Sequence, residues 1–418
     1  MRRQPGNKTR LIIIGGGASG LAAACLCVQN GVSVTLLEKE SRVGRKLLAT
    51  GNGRCNIWNT GPPVYFGDEG FAGAVLSHCG IGQVADFWER LGLLTCEEDH
   101  GLVYPAARQA ASVLDCLRLR LEASPLCEIK TCAWVTGIKK TNSGFTVTTK
   151  DGAAYEAPLL LAAPGGPAAP RLGGSDSLLG PLAGLGHRLV PARPALCPLA
   201  TDTRPIRGLK GLRLPARLWL KAGGRAVAAA SGEALFTDYG VSGLCAMQLA
   251  RDAGERLLQQ EAVTLLMDFS PALGLAPPYM GRLDPEGVEA EALGAGKRLQ
   301  TMLEGRERRL GRTMMYLGLL PRPMAERLED LRIPDAAQWL SGLALPVTGV
   351  RGFDQAQAAA GGLSCAGFDP ATLASRAAPG LYVTGEALNV DGDCGGFNLL
   401  FAWATAILAA RHIISLSR

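Results

Sequence analysis

Apolar residues follow three rhythms along this chain. The first is the short unbroken run Leu11-Ile12-Ile13-Ile14, which breaks into Gly15-Gly16-Gly17 and resumes as a small-residue apolar stretch from Leu21 to Val28. A run that short, closed by glycine, predicts a buried parallel strand, a tight turn and the start of a helix. Val32–Leu37 predicts a second strand and ends in Glu38. The second rhythm is helical: residues 70 to 125 carry apolar positions such as Val84, Phe87 and Leu91, then Val113, Leu117 and Leu121. The third is alternating. Glu128–Ile138 and Gly144–Lys150 predict strands, with turns at Asn142-Ser143-Gly144 and Asp151-Gly152. Leu159–Ala163 predicts a buried strand ending at Gly165-Gly166.

The pattern changes at Pro191, Pro194 and Pro198, which predict an exit from the first domain. Short strand-like runs follow, among them Ala216–Lys221 and Ala226–Ala230. Residues 246 to 340 read as helical, broken at Pro271, Pro277-Pro278 and Pro321. Gly380–Thr384 predicts a strand, followed by a glycine-rich turn and a helix over Leu399–Ala410. The fold class is therefore α/β and Rossmann-like. Residues 1–195 and 351–418 form one interrupted domain around an insert at 196–350, β-rich to about 245 and helical after it. A site is expected where such parts meet.

Composition narrows the classes. The chain has 418 residues, 47% of them apolar, and a net charge of +6 from 43 basic and 37 acidic residues. That mild bias suits an anionic cofactor and gives no reason to expect a nucleic-acid partner. The densest basic run, Arg306 to Arg309 with Arg312, is interleaved with Glu304 and Glu307 and reads as a solvated helix face. Twelve scattered cysteines without C-x-x-C fit a reducing cytoplasm and packed thiols. Metal-ligand spacing is absent, and the four histidines sit in ordinary contexts. Met1-Arg2-Arg3 precedes apolar residues, but glycines interrupt them too soon for a signal peptide. No uncharged apolar run reaches the roughly 18 residues of a membrane span.

Three constellations carry chemistry. Gly15, Gly17 and Gly20 fit G-x-G-x-x-G: one glycine turns the chain, one admits a pyrophosphate, and one lets helix and strand approach. Ala18 and Ser19 open the helix whose N–H groups face that anion. Glu38, with Lys39 beside it, stands about 20 residues on, where a carboxylate binds ribose hydroxyls. The second constellation is Gly44-Arg45-Lys46 with Thr50-Gly51-Asn52-Gly53-Arg54-Cys55-Asn56. Its glycines and asparagines permit unusual backbone angles, and its basic residues add positive charge for a pyrophosphate or a reduced ring. The third is Gly385-Glu386 through Asp391, Asp393, Gly395, Gly396, Phe397, Asn398 and Leu399. A helix starting near Gly396 would aim its positive end into the turn, and Glu386 could hold ribityl hydroxyls. A calcium-like acidic loop is the other reading, but a terminal bidentate Glu is missing. Cys55 and Cys394 both fall in these loops; without C-x-x-C they read as packed thiols before a redox relay.

These stretches, together with Leu235–Gly243 and Gly352–Ala356, resemble the BaiN-type, aminoacetone-oxidase-like family of bacterial flavoproteins. The resemblance covers nearly the whole chain. It implies FAD in a glutathione-reductase-like fold with a small β domain and a helical insert, and backbone near Val135 at the adenine. It also implies contacts from Ala163 and Gly165, although Pro164 stands where the family has Thr and removes an N–H. Ile57-Trp58 replaces a Leu-Thr pair, which points to an altered substrate pocket. One family member type reduces conjugated double bonds of 3-oxo bile acids, so the resemblance implies an ene-reductase acting on a small apolar, steroid-like substrate. Arg54, Tyr239 or backbone N–H groups are candidate donors to the carbonyl oxygen. No second G-x-G-x-x-G follows, so NAD(P)H would dock transiently as electron donor. An FAD oxidase acting on amines or amino ketones and a flavin- and folate-dependent RNA-modifying protein stay open as alternatives, as do the catalytic acid and the oligomeric state.

Overall fold

The computed structural model describes residues 9–277 and 279–417. Met1-Arg2-Arg3 and Pro278 lie outside the described residues. The chain divides into two compact units. One combines Met1–Arg193 with Ala358–Arg418, and the other is Pro194–Gln357.

The first unit is built on a five-stranded parallel sheet. Its strands lie in the order Leu381–Val383, Leu159–Ala162, Leu11–Ile14, Val34–Leu37 and Cys127–Lys130. Every residue of Leu11–Ile14 is buried, as both faces of such a sheet are covered. The helix Ala18–Gln29 follows the first strand, and Phe397–Ser415 closes the chain. That last helix is long and apolar enough to cross a membrane by length and composition. However, 78% of its apolar window is buried inside the protein, as in a core helix. It runs several residues beyond the Arg411 stop expected from sequence. Trp403 meets Trp88 edge-on at 4.9 Å and donates to the Ile57 carbonyl at 3.0 Å, so its polar edge is satisfied inside the core.

Two sequence expectations fail here. Glu128–Ile138 is two strands. Cys127–Lys130 ends the parallel sheet, and Val135–Thr141 starts a separate antiparallel sheet with Gly144–Thr149 and Ala154–Ala157. The break falls at Cys132, whose φ of 56° turns the chain sharply. Residues 70 to 125 are also only partly helical. Helices Glu69–His78, Ile81–Arg90 and Ala110–Ala123 are separated by a small sheet of Trp58–Asn59, Thr95–Glu97 and Leu102–Pro105.

The second unit is an antiparallel barrel. Arg213–Ala222 pairs in turn with Val263–Asp268, and the ladder continues through Leu343–Val350, Leu199–Thr201, Gly240–Ser242 and Arg225–Phe236 before returning to Arg213–Ala222. Closure leaves no long unpaired edge. Val263–Asp268 and the short Gly281–Leu283 lie in the stretch expected to be helical. A short apolar run cannot be assigned by periodicity, and Val263 and Thr264 favour the pleated ladder. The Pro194–Gln357 unit extends past the glycines at 349 and 352. Arg351 donates its N–H to Pro198 O and Gln357 to Leu196 O, which carries the pairing on.

Candidate nucleotide site

The opening turn is fixed by contacts that only hydrogen leaves room for. A Cβ on Gly15, whose φ is 101°, would lie 2.1 Å from Ala163 O, and one on Gly20 would lie 2.0 Å from Gly15 O. Helix, turn and strand therefore interlock. Gly17 differs: a Cβ there meets nothing within 4 Å. Open space above a helix N-cap, with first-turn N–H groups unpaired within the helix, is geometry that could receive an anion. Ala18 and Ser19 form the first turn beyond it.

Glu38 lies at the end of the second strand. Its carboxylate accepts from Gly16 N at 2.7 Å and from Glu40 N at 2.8 Å, which leaves acceptor capacity for hydroxyls. Burial pushes its pKa above the ordinary carboxylate range, although the two amides oppose that. The backbone of Ala133 donates to Glu38 O at 2.8 Å, which brings buried Val135 to the same end of the sheet. Lys39 points its ammonium over the Trp134 ring at 5.5 Å, and burial lowers its pKa.

The second loop is a left-handed knot. Gly51, Asn52, Gly53 and Cys55 all have positive φ, between 55° and 83°. Gly44 (φ 74°) precedes the short helix Arg45–Ala49, and a Cβ on it would collide with Leu114. All three basic residues are paired. Arg45 is bound by Glu40, Lys46 by Glu386 at 2.7 Å, and Arg54 by Glu98 at 2.5 Å. The loop therefore presents backbone and paired charge, not bare cations. Asn56 has its buried Oδ1 without a hydrogen-bond partner, and a Cβ on Gly396 would lie 2.9 Å from that atom.

The third loop closes on the other two. Gly385 donates to Thr405 Oγ1 at 3.1 Å, and a Cβ on it would stand 2.9 Å from Ser19 Oγ. Glu386 accepts from Lys46 and from the backbone N–H groups of Gly166 (3.2 Å) and Ala359 (3.0 Å). Gly165, with φ 73°, lies beside the same carboxylate. Gly396 (φ 101°) caps the closing helix, whose first residues are Phe397, Asn398 and Leu399. Asn398 holds the turn shut by accepting from Gly392 N at 2.8 Å and donating to Gly392 O at 2.7 Å.

A family model described as the HI0933-like protein Rossmann domain matches residues 9–412. The chain belongs to the HI0933-like family. It is 34% identical to the 3-dehydro-bile acid delta(4,6)-reductase of Clostridium scindens, across 96% of this chain and 98% of that one. It is 26% identical to the ribosomal RNA dihydrouridine synthase of Escherichia coli, across 97% and 98%. Among solved structures it resembles 3-ketosteroid delta1-dehydrogenase from Sterolibacterium denitrificans in complex with 1,4-androstadiene-3,17-dione. The TM-score is 0.52 at 12% identity, covering 98% of this chain and all of that one, a likeness of fold.

In this HI0933-like chain, sequence reasoning missed the residues that grip Arg54. Glu98 binds both Arg54 and Arg108, the latter at 2.7 Å, while the Arg54 guanidinium carbon stands over the Tyr104 ring, 4.3 Å from its centroid. No spacing rule links positions 54, 98, 104 and 108; the small sheet around Leu102–Pro105 brings them together. Burial raises the Tyr104 phenol pKa, so it stays protonated. Trp58, expected at the floor or mouth of a substrate pocket, is buried with its backbone against Gly396. Burial pushes the Cys55 thiol up to about 11 and Cys394 to about 12. Two protonated thiols make a poor relay. Tyr239 belongs to the other unit, under the Arg351 guanidinium at 4.6 Å.

Proposed function

We propose that this protein is a cytoplasmic FAD-dependent oxidoreductase that uses NAD(P)H to reduce a carbon–carbon double bond conjugated to a carbonyl, on a steroid-like substrate of the bile-acid type. One observation carries the cofactor: Gly385 against Ser19, and Gly396 against Asn56, join three loops distant in sequence into one cradle. The residues fit an extended dinucleotide. The Ala18–Gln29 N-terminus would take the pyrophosphate, Glu38 a ribose, and the backbone near Val135 the adenine. Asn56 Oδ1 and the first turn at Phe397 would take the far end. The substrate class follows the activity for which the Clostridium scindens relative is named. Twelve free cysteines suit a reducing compartment.

FAD, when bound, supplies hydride chemistry that side chains lack. The chain's own share is electrostatic. Addition of hydride β to a carbonyl leaves negative charge on the carbonyl oxygen, and fixed donors stabilise it. Arg54, immobilised by Glu98 and Tyr104, and the Tyr104 hydroxyl are the donors we assign. A second reading has the same chemistry on a uracil ring in RNA, whose C5–C6 bond is also conjugated to a carbonyl; the name of the Escherichia coli relative favours it.

The test is anaerobic. Yellow protein should bleach with NADH or NADPH and recolour with a 3-oxo steroid enone. Recolouring by RNA alone would select the second reading. Bleaching by an amine but not by NAD(P)H would make the protein an oxidase.

A further inference from the structure

The long helix Pro285–Leu310 ends in a feature that neither the barrel nor the nucleotide cradle uses. Beyond Gly311 the chain folds back on the last turns of the helix. Arg306 pins it there, donating to Met315 O and Leu317 O, both at 2.6 Å. Met315 and Tyr316 are turned inward, 0% and 2% exposed. Their neighbours are turned out: Met314 is 51% exposed and Leu317 50%, and Leu310 at the helix end is 42% exposed. Three large apolar side chains thus stand in water on a turn anchored from beneath. Single exposed apolar residues are ordinary; a set held outward by a buried anchor and a guanidinium clamp is not.

Charge lies close to them in the sequence. Arg308 and Arg309 are exposed and have no acidic partner among the described residues, while Glu307 is taken up by Arg312 at 3.2 Å. Glu304 accepts from the Gln300 amide at 2.9 Å and keeps its charge. The last turn of the helix therefore carries two guanidinium groups without an acidic partner among the described residues, close in sequence to an aliphatic and thioether tip. That is the chemistry of an interfacial anchor: apolar side chains enter the headgroup boundary while arginines meet anionic lipid. Single-stranded nucleic acid is served by stacking rings, and the ring here, Tyr316, is buried.

We propose that the tip formed by Leu310, Met314 and Leu317, flanked by Arg308 and Arg309, docks this protein reversibly on an anionic lipid surface. Two arginines and three shallow side chains make a weak, salt-sensitive anchor, and docking would bring the protein to a surface where apolar substrates partition. The surface stands independently of the reductase reading, because vesicle binding needs no turnover.

The test is flotation of the full-length, FAD-loaded protein with vesicles of phosphatidylcholine alone or with one quarter phosphatidylglycerol. Binding is expected only to the anionic vesicles, and should be abolished in 0.5 M salt, where a Debye length of about 4 Å leaves little attraction. Arg308→Gln with Arg309→Gln should weaken it about 30-fold, at roughly a factor of five for each arginine. Met314→Ser with Leu317→Ser should weaken it while the visible spectrum of the bound flavin is unchanged. Equal partition onto both vesicle types, or no loss in either double variant, would overturn the proposal. So would a ribosomal RNA fragment binding through the same two arginines while vesicles do not.

Discussion

The two units solve the same problem, a defined interior, by opposite means. The nucleotide unit relies on the backbone. Its critical contacts are Gly15 against Ala163 O and Gly20 against Gly15 O, and its basic loop residues are paired off at the rim. The barrel unit relies on a buried charge. Arg217, 5% exposed, donates to Asp268 Oδ2, itself fully buried, through Nε at 2.8 Å and Nη2 at 2.5 Å. Ser270 donates both its N–H and its hydroxyl to the same carboxylate, and Glu291 binds Arg217 from the helix side. A site made of backbone is hard to alter by side-chain substitution; a core held by an ion pair is easy to break.

The largest expected effect tests the second half of that contrast. Asp268→Ala would leave Arg217 buried without its main partner and should cost about 3–5 kcal/mol in chemical denaturation. Arg217→Met together with Asp268→Leu should recover most of the loss, because it removes both charges. If the single variant lost less than about 1 kcal/mol, the ion pair would not be what organises the barrel.

Next comes a pair of substitutions inside one motif. Gly20→Ala puts a methyl 2.0 Å from a backbone oxygen and should cost about 1–3 kcal/mol, with loss of bound FAD. Gly17→Ala puts the same methyl into open space at φ −88°. Its denaturation midpoint should stay put, while FAD affinity falls about 100-fold because the pyrophosphate needs that space. A destabilised Gly17→Ala protein, or one that keeps full FAD affinity, would remove Gly17 from the cradle.

How much of this was legible from sequence divides along the same line. Backbone sites are written locally: Gly15 to Gly20 and Glu38 specify strand, turn, helix and strand within 30 residues, and the fold class follows. The left-handed knot at Gly51 to Cys55 is announced by its glycines and asparagine. Side-chain constellations leave no such trace. Glu98 and Tyr104 reach Arg54 only because the Thr95–Glu97 and Leu102–Pro105 strands fold beside Trp58–Asn59. Arg217 and Asp268 meet because their residues are direct partners in a ladder between Arg213–Ala222 and Val263–Asp268. The second of those strands is a six-residue apolar run that reads equally well as helix.

The smallest expected effect concerns Glu38, where the backbone unit does use a charge. Burial holds its pKa above the ordinary 4.5, so the folded protein binds this proton more tightly than the unfolded chain does. The sign follows: in the FAD-free protein, Glu38 contributes stability below about pH 4.5, and that contribution is lost as pH rises through its elevated folded value. Bound ribose hydroxyls reverse the balance, because they favour the carboxylate. FAD affinity should therefore fall on acidification through a pH above the usual carboxylate range. Glu38→Gln should flatten that pH dependence and weaken FAD about tenfold at pH 7, the size of a hydrogen bond to a charged group. FAD titrations of both proteins between pH 5 and 8, followed by flavin fluorescence, decide it. An affinity that falls with pH equally in both would place the titrating group elsewhere. It would also make Glu38 a brace for the Gly16 and Glu40 amides, leaving the nucleotide unit built on backbone alone.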